Sequence, residues 1–202
     1  MVRATARFMA SVMMVSGVLL IADAGATLLW QEPVSFVVAE RQQAELETAF
    51  AKPPARVVRG KPLPGDSIAK LAIPKLDRSY FVVEGTAAGD LRKGPGHYPE
   101  TPMPGERGTV GIAGHRTTHG APFRTIDRLR RGNEIVVDMT YGRFVYRVEK
   151  SRIVAPTQTE VKDRVAYDRL ILSACHPLYS AAQRLVVFAR FLRREKARVE
   201  RE

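Results

Sequence analysis

The longest hydrophobic stretch of the chain lies near its N-terminus. Residues 8–22 carry no charged side chain, and apolar character resumes after Asp23 and continues to Trp30. The whole run, residues 8–30, is long enough at ~1.5 Å per residue to cross a bilayer core of ~30 Å. A cleaved secretory signal and a buried core helix are alternative interpretations of this run. We favour an uncleaved transmembrane anchor over residues 8–30.

The charges around this run predict how it is oriented. Arg3 and Arg7 precede it, while Glu32 follows it closely. The positive-inside rule then predicts that residues 1–7 are cytoplasmic and that the chain after Trp30 is extracytoplasmic. Since no second apolar run of ~20 residues follows, the sequence predicts a single-pass membrane protein with an extracytoplasmic body.

Residues 31–65 have a different pattern and are interpreted as a stalk and a linker. Residues 38–51 are helix formers with many charges between Val38, Leu46 and Phe50, which predicts a solvated stalk helix. Binding of this helix to a partner is the weaker alternative. Residues 52–65 contain four prolines and two glycines, a composition typical of a semi-extended linker.

From Asp66 onward, short apolar and β-branched runs alternate with turns rich in Gly, Pro, Asn and Asp, which predicts an all-β barrel or sandwich over residues 66–192. Only Ala121–Arg131 has the spacing of a short helix. Residues 193–202 are nearly all charged and are interpreted as a solvated helical or frayed tail. The strand predictions, beyond the apolar positions at 68–73 and 80–83, are Thr109–Ala113, Glu134–Met139, Arg143–Val148, Ser151–Ala155, Leu170–Ala174 and Arg184–Phe191.

Composition narrows the function classes. The 202 residues suffice for one ordinary domain, and the net charge of +11 raises nucleic acid and an anionic envelope as partners. Nucleic acid is disfavoured because the body is predicted to be outside the cytoplasm and its basic residues lack aromatic interleaving. With one cysteine, the chain forms no intramolecular disulfide and no cysteine-based zinc site.

That cysteine, Cys175, is the first candidate for chemistry. It lies where the apolar strand RLILSA meets His176 and Pro177, and a strand end supports a reactive side chain on a rigid scaffold. A free cysteine is often a buried small hydrophobe, but an exported bare thiol is liable to oxidation. We therefore favour a nucleophile.

A cysteine nucleophile needs a partner for its proton, and histidine is the usual one. His115 stands at a predicted strand end, and we choose it before His119. His176 adjoins the cysteine but points to the opposite face of a regular strand, so packing is the favoured interpretation. His97 lies in a loop rich in Gly and Pro.

Acyl transfer also needs a group that stabilises the oxyanion of the tetrahedral intermediate. Arg184 opens the strand after the cysteine loop. If the two strands pair as a hairpin, Arg184 returns beside Cys175.

These residues resemble a known family, the sortases. The resemblance is carried by GIAGHRTTHGAPF at 111–123 and by LILSACHPLYSAAQR at 170–184, with support from 66–85 and 91–108. It covers roughly residues 65–192. GPGHYP and the Cys-His-Pro triplet are most similar to class E sortases, with class D close behind.

The resemblance implies an eight-stranded β-barrel and a thiol transpeptidase. Cys175 would be the nucleophile, His115 the general acid and base, and Arg184 the oxyanion or substrate-positioning group. The family cleaves a C-terminal sorting signal of secreted proteins between Thr and Gly in a Leu-Pro-X-Thr-Gly-like motif, with Ala in place of Pro favoured by class E. It then passes the acyl group to an amine of the peptidoglycan precursor.

The sequence departs from the family pattern directly before the nucleophile. Sortases usually have Thr at this position, where this chain has Ala174, so any substrate contact made by that Thr is in doubt.

We assign no cofactor and no metal, calcium included, because no carboxylate cluster is compelling. A peptidoglycan L,D-transpeptidase is the runner-up enzyme, although its Ser-Gly before the cysteine is absent. An inert, membrane-anchored envelope-binding module is the non-enzymatic alternative.

Overall fold

The computed structural model describes residues 2–29, 33–58 and 60–196. Trp30, Glu32 and the end of the predicted tail, 197–202, lie outside the described residues.

The first helix, α1, is Val2–Leu29. Within the described residues, one stretch is long and apolar enough to cross a membrane, namely Thr5–Ala26 with 22 residues and a mean hydropathy of 1.8.

Eight strands follow two further helices, and they close into a barrel. This confirms the predicted fold. The helices after α1 are α2 (Pro33–Ala51), α3 (Ala55–Val58) and α4 (Ala88–Leu91), and three 3₁₀ turns cover Pro74–Leu76, Ile126–Arg128 and Thr159–Lys162. The strands are β1 (Ser67–Ile73), β2 (Arg78–Glu84), β3 (Gly96–His97), β4 (Thr109–Ala113), β5 (Glu134–Met139), β6 (Gly142–Val154), β7 (Arg169–His176) and β8 (Gln183–Glu195).

The order of strands around the barrel is β1-β2-β3-β4-β7-β8-β6-β5, with β5 returning to β1. Most neighbours are antiparallel, but β2 and β3 are parallel and so are β4 and β7. The parallel β4–β7 pair joins segments about sixty residues apart in the chain, because Ala113 lies opposite Ser173. The β4–β7–β8 arrangement therefore gathers residues from both motifs at one end of the barrel.

Strand β7 is buried on both faces, which explains its nearly continuous apolar sequence. Leu170, Leu172 and Ala174 point into the barrel core. On the other face, Ile171 packs in a smaller cluster with Phe188 of β8. Ala174, the residue before Cys175, therefore belongs to the core.

The predicted helix over Ala121–Arg131 is wrong. Only Ile126–Arg128 is helical, as a 3₁₀ turn, because His119 and Ala121 have positive φ of 51° and 42° and bend the chain into tight turns. The apolar spacing still identified the buried side chains, since Phe123 and Ile126 are fully buried.

Two strand boundaries also differ from the prediction. Residues 143–154 form most of one long strand, β6, where two were predicted. Its pairing with β8 shifts between Val148 and Lys150, at the point where the first of the two predicted strands ends. Strand β8 extends to Glu195, which pairs with Arg143, so the start of the predicted charged tail is strand.

Helix α2 is not a solvated stalk but packs against the barrel. Ala39 and Leu46 are buried, whereas Val38 is exposed. Leu46 and Phe50 pack on Phe81 and its neighbour Val83 of β2.

A single glutamine fastens this helix to the sheet. The Gln43 amide donates to the Phe81 carbonyl at 3.1 Å and to the Lys93 carbonyl at 2.9 Å, and it accepts from the Phe81 amide at 2.7 Å. Strand β2 pairs with β3 only at Val83 and Glu84. The Gln43 side chain thus takes the place of a strand partner along the uncovered part of this edge.

The predicted linker also contacts the barrel. Val57 of α3 is buried in the main core cluster, and Arg56 forms an ion pair with Asp66 at the start of the barrel. Residues 52–65 are therefore held on the domain at these points, and they do not form a freely extended spacer.

Candidate active site

Cys175 lies one residue before the end of β7, with a partly exposed side chain. The hairpin pairing that was predicted between β7 and β8 is present, and Cys175 and Arg184 are opposite each other in its register. The two residues thus face each other across neighbouring strands at one barrel end.

The β7–β8 loop holds the Arg184 side chain near the strand end. Its Nη1 donates to the carbonyls of Ala181 at 2.9 Å and Gln183 at 3.0 Å. These bonds use both Nη1 hydrogens, and the Nε and Nη2 hydrogens take no part in them. A guanidinium held in this way has donors left for an anionic group.

His115 reaches the same end of the barrel through the parallel pairing of β4 and β7. The ladder continues past the last paired strand residues, because the Gly114 amide donates to the Ser173 carbonyl at 3.0 Å. Two residues beyond the Ala113–Ser173 pair, His115 comes level with Cys175. The structure therefore brings Cys175 on β7, Arg184 on β8 and His115, two residues past the end of β4, to the same end of the barrel, while their chemical roles stay predictions.

Gly114 makes room for the loop that carries His115. A Cβ added at Gly114 would lie 2.6 Å from the Phe123 ring, and the Phe123 amide donates to the His115 carbonyl at 2.9 Å. The group that approaches the Gly114 backbone closely is thus a buried aromatic ring.

The surroundings of His115 favour its neutral form. Burial lowers the pKa of His115 below its ordinary value, and the nearby His119 and Arg92 lower it further. The His119 ring packs against the His115 ring, with centroids 4.8 Å apart. Near neutral pH, His115 is therefore an imidazole with a free lone pair, the form that accepts a thiol proton.

The other two histidines lie in different surroundings. His176 contacts the Arg116 guanidinium through Nδ1 at 3.0 Å, which agrees with the packing interpretation. His97 is buried next to Glu84 at 2.9 Å and to Thr101 at 3.1 Å. This buried network joins β2 and β3 to the following loop and lies apart from Cys175 in the strand order.

Sequence reasoning overlooked Arg116. This arginine is 4% exposed, and it connects the end of β7 with the segment that follows His115. The available signal was a charged residue directly after the candidate base, at a position where the flanking apolar strand and glycines predict burial.

A cleft of about 510 Å³ lies between α2 and the barrel and extends to His119. Lys70, Arg78 and Lys93 line its barrel side, and Glu40 lines its helix side. In the part of the chain that the structure describes, no group of three His, Cys, Asp or Glu side chains is arranged to hold a metal ion. The assignment of no metal and no cofactor stays a prediction.

Comparison with known proteins identifies relatives of this chain. A family model described as Sortase domain matches residues 71–192. Sortase D of Bacillus subtilis is 34% identical over 134 residues, which cover 64% of this chain and 66% of that protein. Sortase SrtE1 of Streptomyces coelicolor is 29% identical over 202 residues, covering 92% of this chain and 57% of the relative. The chain thus spans between 57% and 66% of the length of these curated relatives.

The barrel is also similar to a solved structure. A Clostridium perfringens Sortase D5 transpeptidase superimposes with a TM-score of 0.67 at 26% identity, and the match covers 78% of this chain and 99% of that one. The match covers the Clostridium perfringens protein almost completely, so the common fold includes the whole barrel.

Proposed function

This chain belongs to the sortase family, and we propose that it is a membrane-anchored cysteine transpeptidase. The observation that supports this function best is that Cys175 and Arg184 face each other on β7 and β8, and that His115, two residues past the end of the adjacent β4, lies at the same end of the barrel. A nucleophile, a neutral base and a donor for an oxyanion are the groups that acyl transfer through a thioester requires.

The reaction follows from these three groups. His115 takes the Cys175 thiol proton as the sulfur attacks the scissile carbonyl carbon, and Arg184 stabilises the negative oxygen of the tetrahedral intermediate. The intermediate collapses to a thioester as the C–N bond breaks, and His115 returns the proton to the leaving amine. An acceptor amine then attacks the thioester, loses a proton to His115, and releases the Cys175 thiolate, which recovers that proton.

The substrate is proposed from the family. The donor is a secreted protein with a C-terminal Leu-Pro-X-Thr-Gly-like or Leu-Ala-X-Thr-Gly-like signal, cut between Thr and Gly. The acceptor is an amine of the peptidoglycan precursor. The apolar stretch Thr5–Ala26 serves as an uncleaved anchor, with the N-terminus in the cytoplasm and the barrel outside.

The decisive experiment looks for the thioester. The full chain in detergent micelles is incubated with a library of sorting-signal peptides, and intact-mass and peptide-mass spectrometry follow. We expect an acyl adduct on Cys175 and release of the fragment that begins with Gly. Cys175→Ala should form neither. A wild-type chain that forms no adduct with any motif would favour the inert binding module.

The roles of the base and the arginine are tested by variants. His115→Ala should lower kcat/KM by ~10²–10⁴-fold, and Arg184→Gln by ~10²–10³-fold. Arg184→Lys should restore only part of the loss, since lysine lacks the planar fork of donors. Arg190→Gln on the exposed part of β8 is the matched control, because Arg190 pairs with Glu149 away from the site. If His115→Ala stays near wild type while His119→Ala is inactive, the base has been misassigned.

The orientation has a separate test. Protease added outside intact cells should remove the barrel, and N-terminal sequencing of the mature protein should find residues 1–22. A mature N-terminus near Ala26 would replace the anchor with a cleaved signal.

A further inference from the structure

Arg116 is a buried charge next to the proposed base, and none of the three proposed roles accounts for it. It directly follows His115, and its side chain is 4% exposed. Burying a guanidinium is costly unless its donors are paired. We propose that Arg116 is a positioning residue: it fixes the strand end that carries Cys175 against the loop that carries His115. The inference rests on the proposed function, which gives the two positioned groups their chemistry.

The contacts on the β7 side place Arg116 against the nucleophile's own backbone. Nη1 lies 3.5 Å from the Cys175 carbonyl oxygen and 3.0 Å from Nδ1 of His176. A guanidinium only donates. His176 Nδ1 must therefore accept this bond, and His176 is the neutral tautomer with its proton on Nε2.

The contacts on the other side anchor Arg116 in the segment after the base. Nη2 forms an ion pair with Asp127 Oδ1 at 3.2 Å, and Nε lies 3.4 Å from the Arg124 carbonyl. One planar group thus ties the end of β7 to the 3₁₀ turn and its preceding loop. Since His115 is the neighbouring residue, these bonds restrict where the imidazole lies relative to the thiol.

The size of the expected effect follows from geometry. A displacement of about 1 Å between reacting groups costs on the order of 10²-fold in rate. Lysine has one nitrogen and no planar fork, so Arg116→Lys cannot make the bonds on both sides at once. Substrate binding away from the reacting centre should be unaffected, and the loss should therefore appear in kcat.

Arg169 supplies a matched control at the opposite end of the same two strands. It is also buried, at 8% exposure. Its Nε donates to Thr109 Oγ1 at 2.9 Å, and Nη2 donates to the Asp163 carbonyl at 3.0 Å. Arg169 thus joins β7 to β4 far from Cys175, so its replacement tests the stability of this strand pair alone.

The experiment compares Arg116→Lys and Arg116→Gln with Arg169→Lys and Arg169→Gln in the full-length protein. Turnover of a sorting-signal peptide is measured at a temperature below the unfolding midpoint of every variant. We expect both sets to lower thermal stability, but only the Arg116 variants to lower kcat by about 10²-fold with KM within about twofold. If Arg116→Gln does not fold, Arg116→Lys decides the outcome.

Two further readouts do not depend on peptide turnover. ¹⁵N NMR of the histidines should find His176 protonated on Nε2 in the wild type and a mixture of tautomers in Arg116→Gln. Alkylation of Cys175, the one thiol of the chain, should slow in the Arg116 variants and not in the Arg169 variants.

Equal losses of kcat in the two sets, or Arg116 variants that keep wild-type turnover, would overturn the positioning role. If the wild type processes no peptide, the proposed function fails by itself. The positioning inference is then decided by the tautomer and the alkylation rates, and unchanged values in Arg116→Gln would overturn it.

Discussion

Replacing Gln43 with methionine tests how α2 is held on the barrel. Methionine keeps the length and the apolar part of the side chain, so the substitution removes mainly the three hydrogen bonds to the backbone at Phe81 and Lys93. Each bond contributes about 0.5–1.5 kcal/mol, and the three together about 1.5–4.5 kcal/mol. Because Phe81 then loses partners for its amide and its carbonyl at an uncovered strand edge, we expect the opening free energy there to fall by about 2 kcal/mol.

Hydrogen-exchange mass spectrometry of the full chain in micelles measures this opening. A loss of about 2 kcal/mol should speed exchange of the Phe81 amide about 30-fold. Exchange should also rise along α2, since the helix loses its attachment. Peptides from β7 and β8 should exchange as in the wild type, because their pairing does not involve this edge.

Gln42 offers the same substitution one position earlier on the same helix. Its Oε1 is buried and has no hydrogen-bond partner among the described residues. Gln42→Met removes an unsatisfied acceptor and should be neutral or stabilising. The reasoning is refuted if Gln43→Met leaves the exchange of Phe81 unchanged, or if Gln42→Met speeds it as much.

Three further predictions concern the site and its support. The lowered pKa of His115 should keep its imidazole neutral to a lower pH than an ordinary histidine, so the acid limb of the kcat/KM profile should lie below the ordinary histidine value of 6.5. His119→Asn removes a repelling neighbour and should move that limb upward, and a limb above 6.5 in the wild type would contradict the assignment. Ala174→Thr adds atoms to the barrel core and should lower stability by about 1–3 kcal/mol in thermal unfolding, whereas an unchanged midpoint would mean that the core has spare volume. Gly114→Ala drives a methyl into the Phe123 ring and should destabilise by about 1–3 kcal/mol while slowing peptide cleavage; wild-type melting and turnover would show that the ring yields freely.

The parts predicted best from the sequence are those specified by local pattern. Thr109–Ala113 and Glu134–Met139 match β4 and β5 at both ends, because alternation and flanking turns define a short strand. The pairing of Cys175 with Arg184 was predicted because a hairpin joins strands that are neighbours in sequence. The resemblance to the sortases supplied the eight strands, whereas His115 was chosen for its position at a predicted strand end.

The parts missed depend on contacts that no local pattern reveals. Helix α2 has a charged sequence typical of a solvated helix, yet one polar side chain, Gln43, attaches it to a strand edge that becomes visible only once the barrel is closed. In the sequence, the flanking apolar strand and glycines are the one local sign that Arg116 is buried. Its burial follows from the parallel approach of β7, and such long-range pairing leaves no periodic trace in the chain.

The pairing of β4 with β7 also bears on when the thiol becomes reactive during biogenesis. In the proposed topology, export delivers β4 well before Cys175, and the Gly114–Ser173 bond must close a loop of about sixty residues. Contacts of this range form late, since their loop entropy is paid before they add stability. A nascent chain that has emerged only as far as β6 therefore lacks both the proposed nucleophile and the proposed oxyanion donor. The proposed acyl-transfer centre is complete only after β7 and β8 have closed the barrel, so partly translocated chains are expected to be inactive.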